Sequence, residues 1–331
     1  MKTFSLIVCM VMSFSMTLMA QNPFKTEGDV IIDFNISPNG KMMVYKERTA
    51  DGAINIKIKE LKTGKVSSVI SMKLKWSDMK EIYSGVDFLT NNEIIYAKGE
   101  KMVSFNLKNK KRRDLAQLPD ILGYIKALDN GKGVYFSDNL KLYYSSIKEG
   151  SVSEINKIGL GVLSMSVDKD NRLLYTIGKQ VFRLDKAGNE VEEITSEIAK
   201  LVVNPYLIEA TGSKNSFIVA GKEGIFKVDI SKGQSIKLTD NEKENPVTKI
   251  RLTPNGKILY YQRNLDYNKI SALELSIHTS VVQKQHILSF GVYGKALSCA
   301  LVECALPPVG EVVDGVEQAF GAEPLGGEVE Y

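Results

Sequence analysis

The residues whose types could do chemistry are sparse in this chain of 331 residues. His278 and His286 are the two histidines, eight positions apart, with no cysteine or acidic spacing of a metal site beside them. No G-x-S-x-G elbow and no H-E-x-x-H helix motif occurs. A phosphate loop ending in Lys-Ser or Lys-Thr is missing too, and Gly159-Leu160-Gly161 reads as a bend between strands. The acids Asp33, Asp87 and Asp168 remain. They lie on or beside apolar strand-like runs, where carboxylates from separate units could line a common channel and hold a cation, or cap and solvate strand ends. A second candidate is the stretch Ser71–Tyr83, which carries the single tryptophan, Trp76, among Lys73, Lys75 and Lys80. A tryptophan with lysines nearby suits a stacking or binding loop, or a cover on the side of the fold. Lys108–Arg113 is the densest basic run, on a predicted outer turn that docks an acidic partner or stays solvated. The sequence therefore assigns no catalytic residues, no metal ligands and no cofactor.

The elements that must position these residues come from an internal repeat. Ser37-Pro-Asn-Gly-Lys-Met-Met-Val-Tyr45 matches Thr253-Pro-Asn-Gly-Lys-Ile-Leu-Tyr-Tyr261. Weaker copies begin at Leu89, Leu128, Asp168 and Gly212, and their turn residues Gly40, Asn92, Gly131, Asn171, Asn215 and Gly256 are separated by 52, 39, 40, 44 and 41 residues. Asn-Gly between apolar runs signals a tight hairpin, because both residues tolerate positive φ. Each copy is preceded by one short strand, as at Val30–Ile36, and followed by a second with period-two alternation, as in Val181-Phe-Arg-Leu-Asp185 and Ile225-Phe-Lys-Val-Asp229. A fourth follows most turns, as at Gln234–Leu238.

Six units of four strands predict an all-β fold, a six-bladed β-propeller with four antiparallel strands per blade over residues 21–288. A four-stranded sheet cannot bury both its faces alone; packed blade on blade around an axis, it can. The last blade is completed either by Ser280–Leu288 or by a strand from the N-terminus. A β-sandwich does not accommodate six evenly spaced hairpins.

The ends differ from the repeat. Residues 1–20, with Lys2 followed by the apolar run Phe4–Met19 and the small Ala20, have the layout of a secretory signal peptide. That predicts a secreted or periplasmic protein with no transmembrane segment in the mature chain. Residues 289–331 form an irregular acidic C-terminal tail: 296–331 holds seven acids and no Lys or Arg. The stretch reads as a flexible tail, a remnant of something longer, or the product of a reading-frame change. Cys299 and Cys304, both within it, either form one local bridge or stay unpaired. Over 21–295 the chain carries 42 basic and 32 acidic residues, a net +10. Such a surface favours acidic partners or simply stays solvated. Nucleic acid is not expected, since the chain reads as exported and lacks the aromatic interleaving of a stacking platform.

The Pro-Asn-Gly-Lys strand, followed in Ile225–Thr239 by apolar-x-apolar-Asp, Gly and a Lys-Leu-Thr ending, resembles the repeat of TolB-like propellers over most of 29–288. The resemblance implies an exported, commonly periplasmic six-bladed platform for binding, and no chemistry. The functional expectation is a non-catalytic module for a protein or glycan partner in the cell envelope. The alternatives are a propeller hydrolase, lyase or lactonase using channel carboxylates, or a fragment of a larger envelope protein.

Overall fold

The computed structural model describes residues 20–25, 30–73, 84–118, 123–128, 131–138, 141–157, 161–184 and 191–275. The chain enters through β1 (Ala20–Lys25). Blade 1 follows as β2 (Val30–Ile36), β3 (Met42–Arg48), β4 (Ala53–Glu60) and β5 (Val66–Lys73). Blade 2 is β6 (Val86–Thr90), β7 (Glu93–Lys98), β8 (Lys101–Asn106) and β9 (Arg112–Gln117). Blade 3 is β10 (Ile125–Ala127), β11 (Gly133–Ser137), β12 (Lys141–Ser146) and β13 (Val152–Lys157). Blade 4 is β14 (Val162–Val167), β15 (Leu173–Ile177), β16 (Gln180–Leu184) and β17 (Val191–Glu193), followed by the one-turn helix α1 (Thr195–Ala199). Blade 5 is β18 (Leu207–Ala210), β19 (Ser216–Gly221), β20 (Gly224–Asp229) and β21 (Gln234–Asp240). Blade 6 begins with β22 (Val247–Leu252), β23 (Ile258–Arg263) and β24 (Lys269–Glu274). Its fourth strand is β1, which runs antiparallel to β24 with Gln21 opposite Ala272 and Phe24 opposite Ile270. Between the two closures left open by the sequence, the structure takes the N-terminal one. Residues 276–288 lie outside the described residues.

The innermost strands β2, β6, β10, β14, β18 and β22 neighbour one another in a closed cycle, which is the ring of a six-bladed propeller. One apolar cluster fills each space between neighbouring blades. The middle strands serve two clusters at once. On β7, Ile94 and Tyr96 face blade 1 while Ile95 and Ala97 face blade 3. Burial on both faces turns a two-residue period into a continuous apolar run. The same holds for the pieces that read as one-sided strands: Ile225 packs toward blade 6, and Phe226 and Val228 toward blade 4. At the closure, Phe24 of β1 packs edge-on against Tyr45 at 5.2 Å and Lys59 Nζ lies 3.6 Å over its ring.

The two Pro-Asn-Gly turns are superposable in their bonding. Asn39 Oδ1 accepts from Ser37 Oγ and Lys41 N at 2.8 and 3.0 Å; Asn255 Oδ1 accepts from Thr253 Oγ1 and Lys257 N at 2.7 and 3.0 Å. Gly40 and Gly256 then adopt φ of 68° and 69°, which a side chain would oppose. Asn171 also takes positive φ, whereas Asn92 and Asn215 turn without it.

Candidate functional site

Five of the inner strands place a charged residue between apolar neighbours: Ile32-Asp33-Phe34, Val86-Asp87-Phe88, Ile125-Lys126-Ala127, Ile208-Glu209-Ala210 and Ile250-Arg251-Leu252; Asp33 stands level with Lys249 of blade 6, and Asn35 of blade 1 level with Arg251. β14 places Ser164 and Ser166 there instead. Because inner strands are paired on one side only, their axis-facing amides need partners, and these side chains supply them across the blade junctions. Asp33 Oδ2 accepts from Val86 N at 2.8 Å. Asp87 Oδ2 accepts from Ala127 N at 2.9 Å. Ser166 Oγ accepts from Ala210 N at 2.9 Å, and Glu209 Oε1 from Leu252 N at 3.4 Å. The ring is completed by Lys249, whose Nζ donates to Asp33. A Cβ at Gly85 would stand 2.8 Å from Asp33 Oδ2, so the approach of blade 2 to this carboxylate requires glycine.

Across the axis these ties merge into one network. Asn35 donates its amide to Val86 O at 2.7 Å, and its Oδ1 accepts from Lys126 at 3.4 Å and from Arg251 Nε. Blades 3 and 6, which supply those cations, stand opposite each other. Lys126 Nζ also lies 3.6 Å from Asp87, and Arg251 Nη1 lies 3.5 Å from Glu209. Three carboxylates thus share the buried axis with three cations, Lys126, Lys249 and Arg251, which offsets the cost of desolvating either set. The environments differ. Burial would raise the Asp33 pKa, but Lys249 and Arg251 hold it below the ordinary carboxylate value. Burial pushes Asp87 and Glu209 up, with Lys126 and Arg251 offsetting this only in part. Burial, with Asp33 nearby, pushes the Tyr124 hydroxyl up to about 12.

Above and below the network the axis opens into two mouths. The first, about 330 Å³, is lined by the C-terminal ends of all six inner strands; Asp87, Lys126, Glu209 and the exposed Lys169 supply its charges, Thr211 and Thr253 its hydroxyls. The second, about 380 Å³, lies at the N-terminal ends of β2 and β22, beside Tyr124 and the loop after β23.

The sequence candidates separate accordingly. Asp33 and Asp87 come together on the axis, as ties between blades. Asp168 does not join them: its carboxylate closes the β14–β15 turn, accepting from Asp170 N at 2.8 Å, Arg172 N at 3.0 Å and Arg172 Nε at 2.8 Å. Lys73 is exposed at the end of β5, while Lys75 and Trp76 lie outside the described residues, as do His278, His286, Cys299, Cys304, the N-terminal segment 1–19 and the tail 289–331. The basic run lies in the β8–β9 turn and the start of β9, with Lys110 and Arg112 facing the Phe105 ring at 5.9 and 6.0 Å. Lys126, Glu209, Lys249 and Arg251 were missed, although a lone charge recurring inside apolar inner strands was their signal. Among the described residues no three His, Cys, Asp or Glu side chains gather as a metal site requires, and no helix is long and apolar enough to cross a membrane.

Fold and site together define a six-bladed β-propeller with a charge-paired polar axis and two open mouths. No protein-family model matches the chain, and no curated protein matches it.

Proposed function

We propose that this propeller is a non-catalytic binding module of the cell envelope, related to the TolB-like propellers and exported by residues 1–20, which takes a protein or glycan partner at its first mouth. One observation carries the reading: all six inner strands converge on that cavity with charges of both signs, while each axial carboxylate is already held by a backbone amide and a cation. Groups so committed suit recognition better than proton transfer. Gly212 lines this mouth with open space around its Cβ position, so Gly212→Trp would fill the entrance without strain. Cross-linking in envelope extract should capture a partner with the wild-type protein and lose it with Gly212→Trp at unchanged melting temperature. Equal capture by both would contradict a partner at this mouth. Export predicts that the protein recovered from the envelope begins at Gln21.

A second reading, catalysis by a hydrolase or lyase mechanism, draws on the raised pKa of Asp87 and Glu209 in one cavity. It requires a turnover that Asp87→Asn and Glu209→Gln each abolish while the fold persists.

A further inference from the structure

The second mouth is built differently from the first. Among its described lining residues there is no carboxylate, but there are Arg48, Lys249 and Arg263. Their charges are unequally compensated. Lys249 is neutralised by Asp33. Arg263 is held by neutral carbonyls, Nη1 to Asn245 O at 3.1 Å and Nη2 to Asp240 O at 2.7 Å, with only the exposed Glu242 3.8 Å away. Arg48, exposed at the end of β3, makes no side-chain hydrogen bond or ion pair among the described residues. The mouth therefore carries net positive charge facing an open cavity.

Beside these cations stand groups with unused capacity. Tyr267 is 51% exposed at the rim, and its hydroxyl makes no hydrogen bond among the described residues. The exposed Asn264 engages a partner through its backbone, N to Pro246 O at 2.9 Å, leaving its side-chain amide free. Tyr124 offers the wall opposite, its ring 5.6 Å from Lys249 Nζ. An exposed aromatic face, a free planar amide and a free guanidinium around a small cavity are the ingredients of a site for a ring that carries hydroxyls and one anionic group. The aromatic face covers the ring's C–H surface, the amide takes hydroxyls, and guanidinium pairs two-pronged with carboxylate. The volume of about 380 Å³ falls at the small end of ligand sites, which run from roughly 300 to 1,000 Å³.

We infer that the second mouth is a binding site for a carboxylate-bearing sugar, a uronate, with Arg48 and Arg263 taking the carboxylate and Tyr267 and Asn264 the ring. The site stands on residues at the end of the axis opposite the proposed partner mouth, so either assignment can fail without the other. Free uronate and the uronate at a glycan chain end share this chemistry, and methyl glucuronoside stands for the chain end.

The test is calorimetric titration of the full chain with glucuronate, methyl glucuronoside, glucose and inorganic phosphate, using wild type, Arg48→Glu, Tyr267→Ala and Gly212→Trp. Expected are binding of glucuronate or its glycoside, binding of glucose weaker by about tenfold or more, and a loss of similar size in both Arg48→Glu and Tyr267→Ala, with Gly212→Trp unchanged. Affinity should fall as salt rises. The inference is overturned if glucose binds as well as glucuronate, if phosphate alone binds as well, if Arg48→Glu leaves binding intact, or if Gly212→Trp abolishes it. Arg48 and Tyr267 are exposed, and unchanged melting temperatures will show that lost binding is not lost folding.

Discussion

Between blades 1 and 2 the chain buries Val44, Ile56, Tyr96 and Val103; toward the axis the same two blades bury Asp33, Asn35 and Asp87. Both regions are buried, yet one is apolar and the other ionic. The blade interfaces draw on area: apolar surface removed from water is worth about 25 cal/mol per Å² whatever its detailed shape. The axis draws on direction. A carboxylate that accepts a particular amide of the next blade is satisfied in one register only, and a one-residue slip would leave both groups buried and unpaired. Clusters hold the blades together, and the axial ties fix how they are aligned.

That division can be broken at graded cost. Phe217 is fully buried between blades 4 and 5, and Phe217→Ala should lower stability by about 3–5 kcal/mol, read as a shift in urea midpoint. Arg251→Ala should cost about 3–5 kcal/mol as well, by stranding Glu209, whereas the double change Arg251→Met with Glu209→Leu should recover most of it. If the double variant is as unstable as the single one, the axis contributes more than charge balance. Phe24 is only half-buried, so Phe24→Ala should cost about 1–3 kcal/mol and loosen β1 from β24, visible as faster amide exchange at Ile270 and Ala272.

A pH series separates the axial acids. The Asp87 pKa is higher folded than unfolded, so its contribution is complete below the unfolded value and is lost as pH rises through the folded one. Asp33 is lowered, so its contribution is present above the unfolded value and is lost as pH falls through the folded one. Between pH 3 and 8, Asp87→Asn should therefore gain on wild type as pH rises, and Asp33→Asn should fall further behind. Parallel pH curves for the two variants would contradict the opposite environments assigned to them. The smallest effect belongs to the surface: breaking the exposed Lys101–Asp114 pair, at 2.5 Å, should change stability by about 0–1 kcal/mol.

The ring was legible in the sequence because its turns repeat a chemical requirement. Ser37-Pro-Asn-Gly and Thr253-Pro-Asn-Gly need the same hydroxyl, amide oxygen and positive φ, so the letters persist. Strand β1 was less legible, since Ala20–Lys25 stands outside the repeat and is specified by pairing with β24, some 250 residues on. The axial network was half legible. Asp33 and Asp87 look alike in sequence, but Lys249 stands at the Asp33 position in blade 6, Lys126, Glu209 and Arg251 stand at the Asp87 position in blades 3, 5 and 6, and only the ring brings these together. Asp168 lies past the end of β14, beyond the positions that Ser164 and Ser166 hold, and Arg172, four residues on, claims it for a turn. The second mouth was illegible because Arg48, Tyr124, and the pair Arg263 and Tyr267 come from three blades with no common spacing.

Native-state hydrogen exchange at Val86 and Ala127 tests most directly whether axial carboxylates tie blade to blade. Both amides should be among the slowest in the protein. Asp33→Ala should expose Val86 far more than Ala127, and Asp87→Ala the reverse. Fast exchange of both amides in the wild type, or protection untouched by either substitution, would contradict the account.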